Sequence, residues 1–175
     1  MGIPKLTSFI IKKNCWKPFF LGQGSRIVID GFGLCYRLHY GIESGEYCCF
    51  YEKVVSYLLS LKKNGVEVYV IIDGVDYDKK KVKTHRSRNV QCLNRLWKVN
   101  SNLEKLASPF EITLSYMAGK VFIDAVRDST VNYFVADGEA DRDIVSLANH
   151  LGCPVFGSDS DFFIFNIEGG YIPMN

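Results

Sequence analysis

The sequence predicts an α/β domain built on a mainly parallel central sheet, and three observations carry that prediction. Short β-branched runs alternate along the chain with longer stretches of helical spacing. The apolar runs end in an acid or lead into one. The chain has 175 residues, 47% hydrophobic and 14% aromatic, which suits one domain with a buried core and not a disordered segment.

The elements follow in order. Ile3 to Lys13 reads as a short opening helix. Arg26-Ile27-Val28-Ile29-Asp30 is short and apolar, the pattern of a strand buried on both faces. Phe32 to Tyr40 and Phe50 to Lys63 have helical spacing, and Asn64-Gly65 supplies a stop signal for the second. Glu67-Val68-Tyr69-Val70-Ile71-Ile72-Asp73 is the clearest strand. The polar, basic stretch from Asp76 to about Lys98 reads as one or two helices, and Met117 to Arg127 as another. Val131 to Val135 is a third strand. Glu139 to Leu151 is a helix stopped by Gly152, with His150 in its last turn as a cation favoured by the helix dipole. Pro154 to Gly157 is a fourth strand. Phe162 to Ile167 with Tyr171-Ile172 suggests a terminal hairpin.

Composition narrows the function classes. A net charge of +2 is no bulk polycation, so nucleic-acid affinity has to come from local clusters. No apolar run reaches membrane-span length. The opening Met1-Gly2-Ile3-Pro4-Lys5-Leu6 has no secretory pattern, and Leu6 stands where a myristoylation signal wants Ser or Thr. A nuclear or cytoplasmic, non-secreted protein with no membrane partner is expected. Cys15, Cys35, Cys48, Cys49, Cys92 and Cys153 show no CxxC spacing, so reduced thiols are expected in place of zinc ligands. No Gly-x-Gly-x-x-Gly follows a strand, which leaves a dinucleotide enzyme unsupported.

The acids carry the chemistry. The first strand ends at Asp30 and the second at Asp73. The third is followed by Asp137-Gly138-Glu139-Ala140-Asp141, and the fourth by Ser158-Asp159-Ser160-Asp161. Each acid alone fits turn or cap chemistry. Jointly they mean more, because the strands of a parallel sheet end on one edge, where ligand sites lie. Like charges gathered there repel and shift one another's pKa. Hard divalent cations take such oxygen ligands, and two ions about 4 Å apart activate water for phosphodiester cleavage. Asp159 and Asp161 point the same way if their loop is extended and splay if it turns.

These motifs resemble a known family. Met1-Gly2-Ile3, the strand ending at Asp30, Asp73-Gly74, Glu139-Ala140-Asp141 and Ser158-Asp159-Ser160-Asp161 come in the order of the flap endonuclease, or XPG-like, superfamily. Ile27-Val28-Ile29-Asp30-Gly31, Glu139-Ala140-Asp141-Arg142-Asp143-Ile144, Leu147-Ala148-Asn149-His150 and Cys153-Pro154-Val155 resemble the asteroid family within it. The resemblance covers almost the whole chain and implies a single PIN-like, three-layer α/β nuclease domain over residues 1–175. It implies magnesium-dependent, structure-specific cleavage of single-stranded, overhang or branched DNA, in DNA repair with protein partners. By motif, Asp30, Asp73, Glu139 and Asp141 would serve one magnesium ion, and Asp159 and Asp161 a second, with manganese as a substitute. These six are the catalytic candidates. The Gly2 amine, exposed once Met1 is removed, would lie near the scissile phosphate. Lys79, Lys80, Lys81, Lys83, Arg86 and Arg88 occupy the family's phosphate-steering helix, with Lys80 and either Arg86 or Arg88 foremost, unless the run is only a solvated face.

The chain also departs from the family. A further downstream aspartate and a duplex-gripping helix-hairpin region are expected beyond Asn175, so the domain reads as truncated before both. Val75-Asp76 follows Asp73-Gly74 without the family's prolines, and Asp76 and Asp78 add negative charge near the phosphate path. Two other functions compete with the nuclease. One is a catalytically weak module that binds nucleic acid or a protein partner, including a signalling scaffold. The other is a phosphatase built on Asp159-Ser160-Asp161, although that pair follows the last crossover and not the first strand.

Overall fold

The computed structural model describes residues 6–13, 15, 17–42, 45–74, 90, 93–94, 114 and 116–174. Among them the order is α1 (Leu6–Lys12), β1 (Arg26–Asp30), α2 (Gly31–His39), α3 (Tyr47–Lys63), β2 (Glu67–Ile72), α4 (Tyr116–Asp128), β3 (Asn132–Val135), α5 (Asp141–Leu151), β4 (Val155–Gly157), a 3₁₀ helix (Ser160–Phe163) and β5 (Tyr171–Pro173). Apart from the terminal hairpin, the expected elements that fall among the described residues are present to within a few residues at their ends. The basic stretch after Asp76 lies outside the described residues, apart from Val90, Leu93 and Asn94, which are helical.

The five strands form one sheet in the order β3-β2-β1-β4-β5. Every pairing is parallel: Val28 sits opposite Tyr69 and Val155, Val70 opposite Tyr133, and Phe156 opposite Ile172. The α/β class read from the sequence therefore holds, and the sheet is wholly parallel among the described strands.

Side-chain alternation divides the core between the two faces. Ile27 and Ile29 of β1, with Val68, Val70 and Ile72 of β2, pack against Leu34 of α2, Phe50, Val54 and Leu58 of α3, and Phe122 and Val126 of α4. Val28, Ile71 and Val155 face the other way, onto Ile144 and Ala148 of α5 and Phe162 of the 3₁₀ helix. The result is three layers, with β1 buried on both faces, as its unbroken apolar run requires. Helix α5 stops at Gly152, whose φ of 61° lies in the left-handed region and lets the Cys153 amide reach the Ala148 carbonyl at 3.0 Å. No helix among the described residues is long and apolar enough to cross a membrane.

One expected element is corrected. Phe162 to Ile167 does not pair with Tyr171-Ile172 as a hairpin. The Asp159 carboxylate accepts the amide of Asp161 at 3.0 Å, which starts a 3₁₀ turn and takes Phe162 out of any strand. Tyr171–Pro173 instead adds to β4 in parallel, with Val155 opposite Tyr171.

Candidate active site

The strand order reverses between β1 and β4. Strands β1, β2 and β3 run outward in one direction, and β4 then returns to the free side of β1. In open α/β sheets the crevice beyond the carboxyl ends of such a pair is where ligands bind. A cleft of about 430 Å³ opens there, lined by Asp30, Asp73, Asp141, Asp159, Ser158 and Gly33. Thr7 from α1 and Phe32 and Tyr36 from α2 also border it.

Three of the four acids are oriented by backbone amides. Asp30 is the N-cap of α2, and its Oδ1 accepts the Gly33 amide at 3.0 Å. Asp73 lies just past β2, and its Oδ1 accepts the Ala140 amide at 2.8 Å, capping the start of α5 from across the sheet edge. The Gly74 amide donates to the Gly138 carbonyl at 2.8 Å and the Ala136 amide to that of Ile72 at 2.9 Å, binding the turn before α5 to the end of β2. Asp141, the first residue of α5, is thereby set beside Asp73. Asp159 caps the 3₁₀ helix. The turn and cap roles and the cleft thus use the same side chains: a carboxylate held by an N–H is an aimed carboxylate.

Gly33 is required by this packing. A Cβ at that position would overlap the Asp30 carboxylate and come within 2.6 Å of Ser158 Oγ. Gly33→Ala should cost about 1–3 kcal/mol by overpacking and push Asp30 off its cap. Chemical denaturation of the variant checks this, and an unchanged midpoint would show that the cleft floor has room to yield.

Burial and neighbouring charge act together on two of these acids. Burial pushes the Asp141 carboxyl up to about 6, and the charges of Asp159, Asp73, Asp30 and Glu139 push in the same direction. Asp30 is also raised, first by burial, and then by Asp73 and Asp159 against the opposing Gly33 and Ser158 amides. An oxygen-only donor set of this kind suits a hard divalent cation. The set is open: among the described residues no three His, Cys, Asp or Glu side chains close tightly enough to hold an ion by themselves.

Of the six acids singled out in the sequence, Asp30, Asp73, Asp141 and Asp159 line the cleft. Glu139 is exposed in the turn before α5 and acts on Asp141 through its charge. Asp161 is not among the residues that line the cleft, and the loop turns into a 3₁₀ helix at this point. Gly2, Lys80, Lys83, Arg86 and Arg88 lie outside the described residues. Gly33, Ser158 and the α2 aromatics were not singled out in the sequence. Gly31-Phe32-Gly33 directly after Asp30 was the available signal, since two glycines inside a helix opening mark close packing.

The whole length of the chain can be compared with proteins of known name. It is 34% identical over 182 residues to Protein asteroid of Drosophila melanogaster, an alignment that covers 99% of this chain. The chain is homologous to the asteroid proteins. It is likewise 33% identical, over all of its length, to the asteroid homologue named single-strand DNA endonuclease ASTE1 of Homo sapiens. The chain spans about a fifth to a quarter of these relatives, 20% of the Drosophila protein and 26% of the human one. No protein-family profile matches it. Among solved structures, the catalytic core of Rad2 in complex with DNA substrate superposes with a TM-score of 0.54 at 16% identity, covering 89% of this chain and 45% of that one. A second complex of the same core gives 0.55 at 16%, over 91% and 48%. At such identity the likeness establishes a shared fold alone.

Proposed function

We propose that this domain is a nuclease that uses divalent cations, magnesium first and manganese as a substitute, to cut single-stranded or branched DNA. The observation that carries the reading is the convergence of Asp30, Asp73, Asp141 and Asp159 in one cleft at the switch point of the sheet. The relatives support it: one bears the name single-strand DNA endonuclease, and the Rad2 core was solved with DNA substrate.

In this reading Asp30, Asp73, Asp141 and Asp159 form the heart of the donor set, with Glu139 adjoining. Asp161 contributes chiefly through the amide that steadies Asp159. Divalent cations held there would supply activation of a water and charge compensation at the leaving oxygen. The chain's own groups aim the carboxylates by amide donation and bring the Ser158 hydroxyl to the same cleft. Lys80 with Arg86 or Arg88, Lys83 and the Gly2 amine are the proposed phosphate contacts. The direct test is cleavage of labelled single-stranded, overhang, flap and duplex DNA with magnesium and with chelator. Cutting that survives chelation would overturn the proposal.

The same reading predicts a pH-dependent response to cations. Asp141 titrates near 6 in the folded chain against an ordinary value of 3.8, so the folded state binds the proton more tightly. Stability of the cation-free protein therefore falls as pH rises from about 4 through 6, and the repulsion is present in full above that window. A bound cation relieves it. Magnesium should raise the melting temperature clearly at pH 7.5 and hardly at pH 5, as read by scanning fluorimetry. An equal rise at both values would place cation binding away from these acids.

One observation favours a second reading, a catalytically weak module that binds nucleic acid or a protein partner. The donor set is open, with no three ligands tightly gathered among the described residues. Calorimetric titration separates the two, since one weak site supports the module and two filled sites support the nuclease.

A further inference from the structure

The loop that carries Asp159 is held from below by a residue that the acid motif does not contain. The Tyr171 hydroxyl, on β5, lies 2.8 Å from the Gly157 carbonyl and 2.9 Å from the Asp159 carbonyl. A single phenolic proton thus serves two carbonyls that flank Ser158. The Gly157 carbonyl also accepts the Met174 amide at 2.8 Å, which fastens the end of β4 to β5. The Tyr171 ring is gripped by two phenylalanines of the 3₁₀ helix. Phe162 stands at 5.4 Å between centroids, and Phe163 meets it edge-on at 4.8 Å. Asp159 is extended at this point, with φ −81° and ψ 132°, and its carboxylate is tied forward to the Asp161 amide.

We propose that Tyr171 is a positioning residue for the cleft: by clamping the carbonyls on either side of Ser158, its hydroxyl fixes the direction in which the Asp159 carboxylate faces Asp30 and Asp141. Tyr171 does not line the cleft, and it acts through the backbone of Asp159. The cation side of this inference rests on the nuclease reading above, whereas the backbone clamp stands without it. Burial helps the clamp, because a phenol kept neutral there remains a donor throughout the working pH range.

Tyr171→Phe tests it, because the ring contacts survive and only the hydroxyl is lost. Asn149→Ala is the companion variant. Asn149, on α5, holds the next loop, the one that leads into β5, donating to the Asn166 carbonyl at 2.8 Å and accepting the Glu168 amide at 2.9 Å, and it does not line the cleft. Hydrogen exchange should quicken about fivefold in peptides spanning residues 157–161 in Tyr171→Phe, the scale of one net hydrogen bond, and stay unchanged there in Asn149→Ala. Magnesium affinity by calorimetry should weaken by a similar factor in Tyr171→Phe alone, and kcat on single-stranded DNA should fall with KM unchanged. If exchange in that segment does not change, or changes alike in both variants, Tyr171 is a packing residue and the inference fails. If exchange quickens as expected while the wild-type protein neither binds magnesium nor cuts, the clamp stands and the nuclease reading is the one that fails.

Discussion

On the nuclease reading, replacing Asp159 by asparagine should lower magnesium-dependent cleavage by roughly 10²–10³-fold, the scale on which a single charge-stabilising group acts, while leaving the cation-free protein at least as stable as the parent. The two signs have one origin. Asparagine keeps an oxygen for the Asp161 amide, which now lies 3.0 Å from the carboxylate, so the 3₁₀ turn has no reason to open. The lost charge is one of those that hold the Asp141 carboxyl high, and its removal should let Asp141 ionise at lower pH. Activity and melting temperature are measured on the same preparation. A variant that loses both together would show that the carboxylate is structural, and one that keeps full activity would remove Asp159 from the cation site.

Phe122→Ala should remove about 3–5 kcal/mol of stability, the usual loss for a large aromatic core side chain. That is a large share of the roughly 5–15 kcal/mol that holds an ordinary domain together. Phe122 is 0% exposed on α4 and packs with Phe50, Val54 and the inward side chains of β1 and β2. Its loss opens a cavity between α3, α4 and the sheet, and the surrounding side chains are themselves too well packed to close it. Urea denaturation gives the number. A loss under about 1 kcal/mol, the range of surface changes, would mean that α4 does not lie against the sheet as described.

Much of this arrangement was legible in the residues. Arg26–Asp30 and Glu67–Ile72 matched their strands because a run buried on both faces has no polar alternation to confuse it. The acids could be placed at one edge from parallel topology alone, before any distance was known. Two things were hidden. The side-by-side order of strands is set by which crossover packs on which face, and no single run encodes it. For that reason the switch point between β1 and β4 appears only in three dimensions. The second was the turn after Asp159. Phe162-Phe163-Ile164-Phe165 has the composition of a strand, and a spacing of two implies a shared face only in extended backbone. One side-chain-to-amide bond, from Asp159 to Asp161, overrides both signals. Asp159 is among the residues that line the cleft, and Asp161 is not. The role of Tyr171 was invisible for a related reason: its partners are backbone carbonyls, which leave no mark in the composition of their own residues.

The bond from the Ala140 amide to Asp73 has a consequence for descent. Asp73 fastens a helix to a sheet and Asp30 begins another helix, so a lineage released from catalysis would still be selected to keep both. Asp141, which bears the repulsion of four neighbours, would be the first to drift toward a neutral residue. Among relatives of this fold, the identity of the residue at that single position should therefore separate working enzymes from retired ones more sharply than a count of surviving acids.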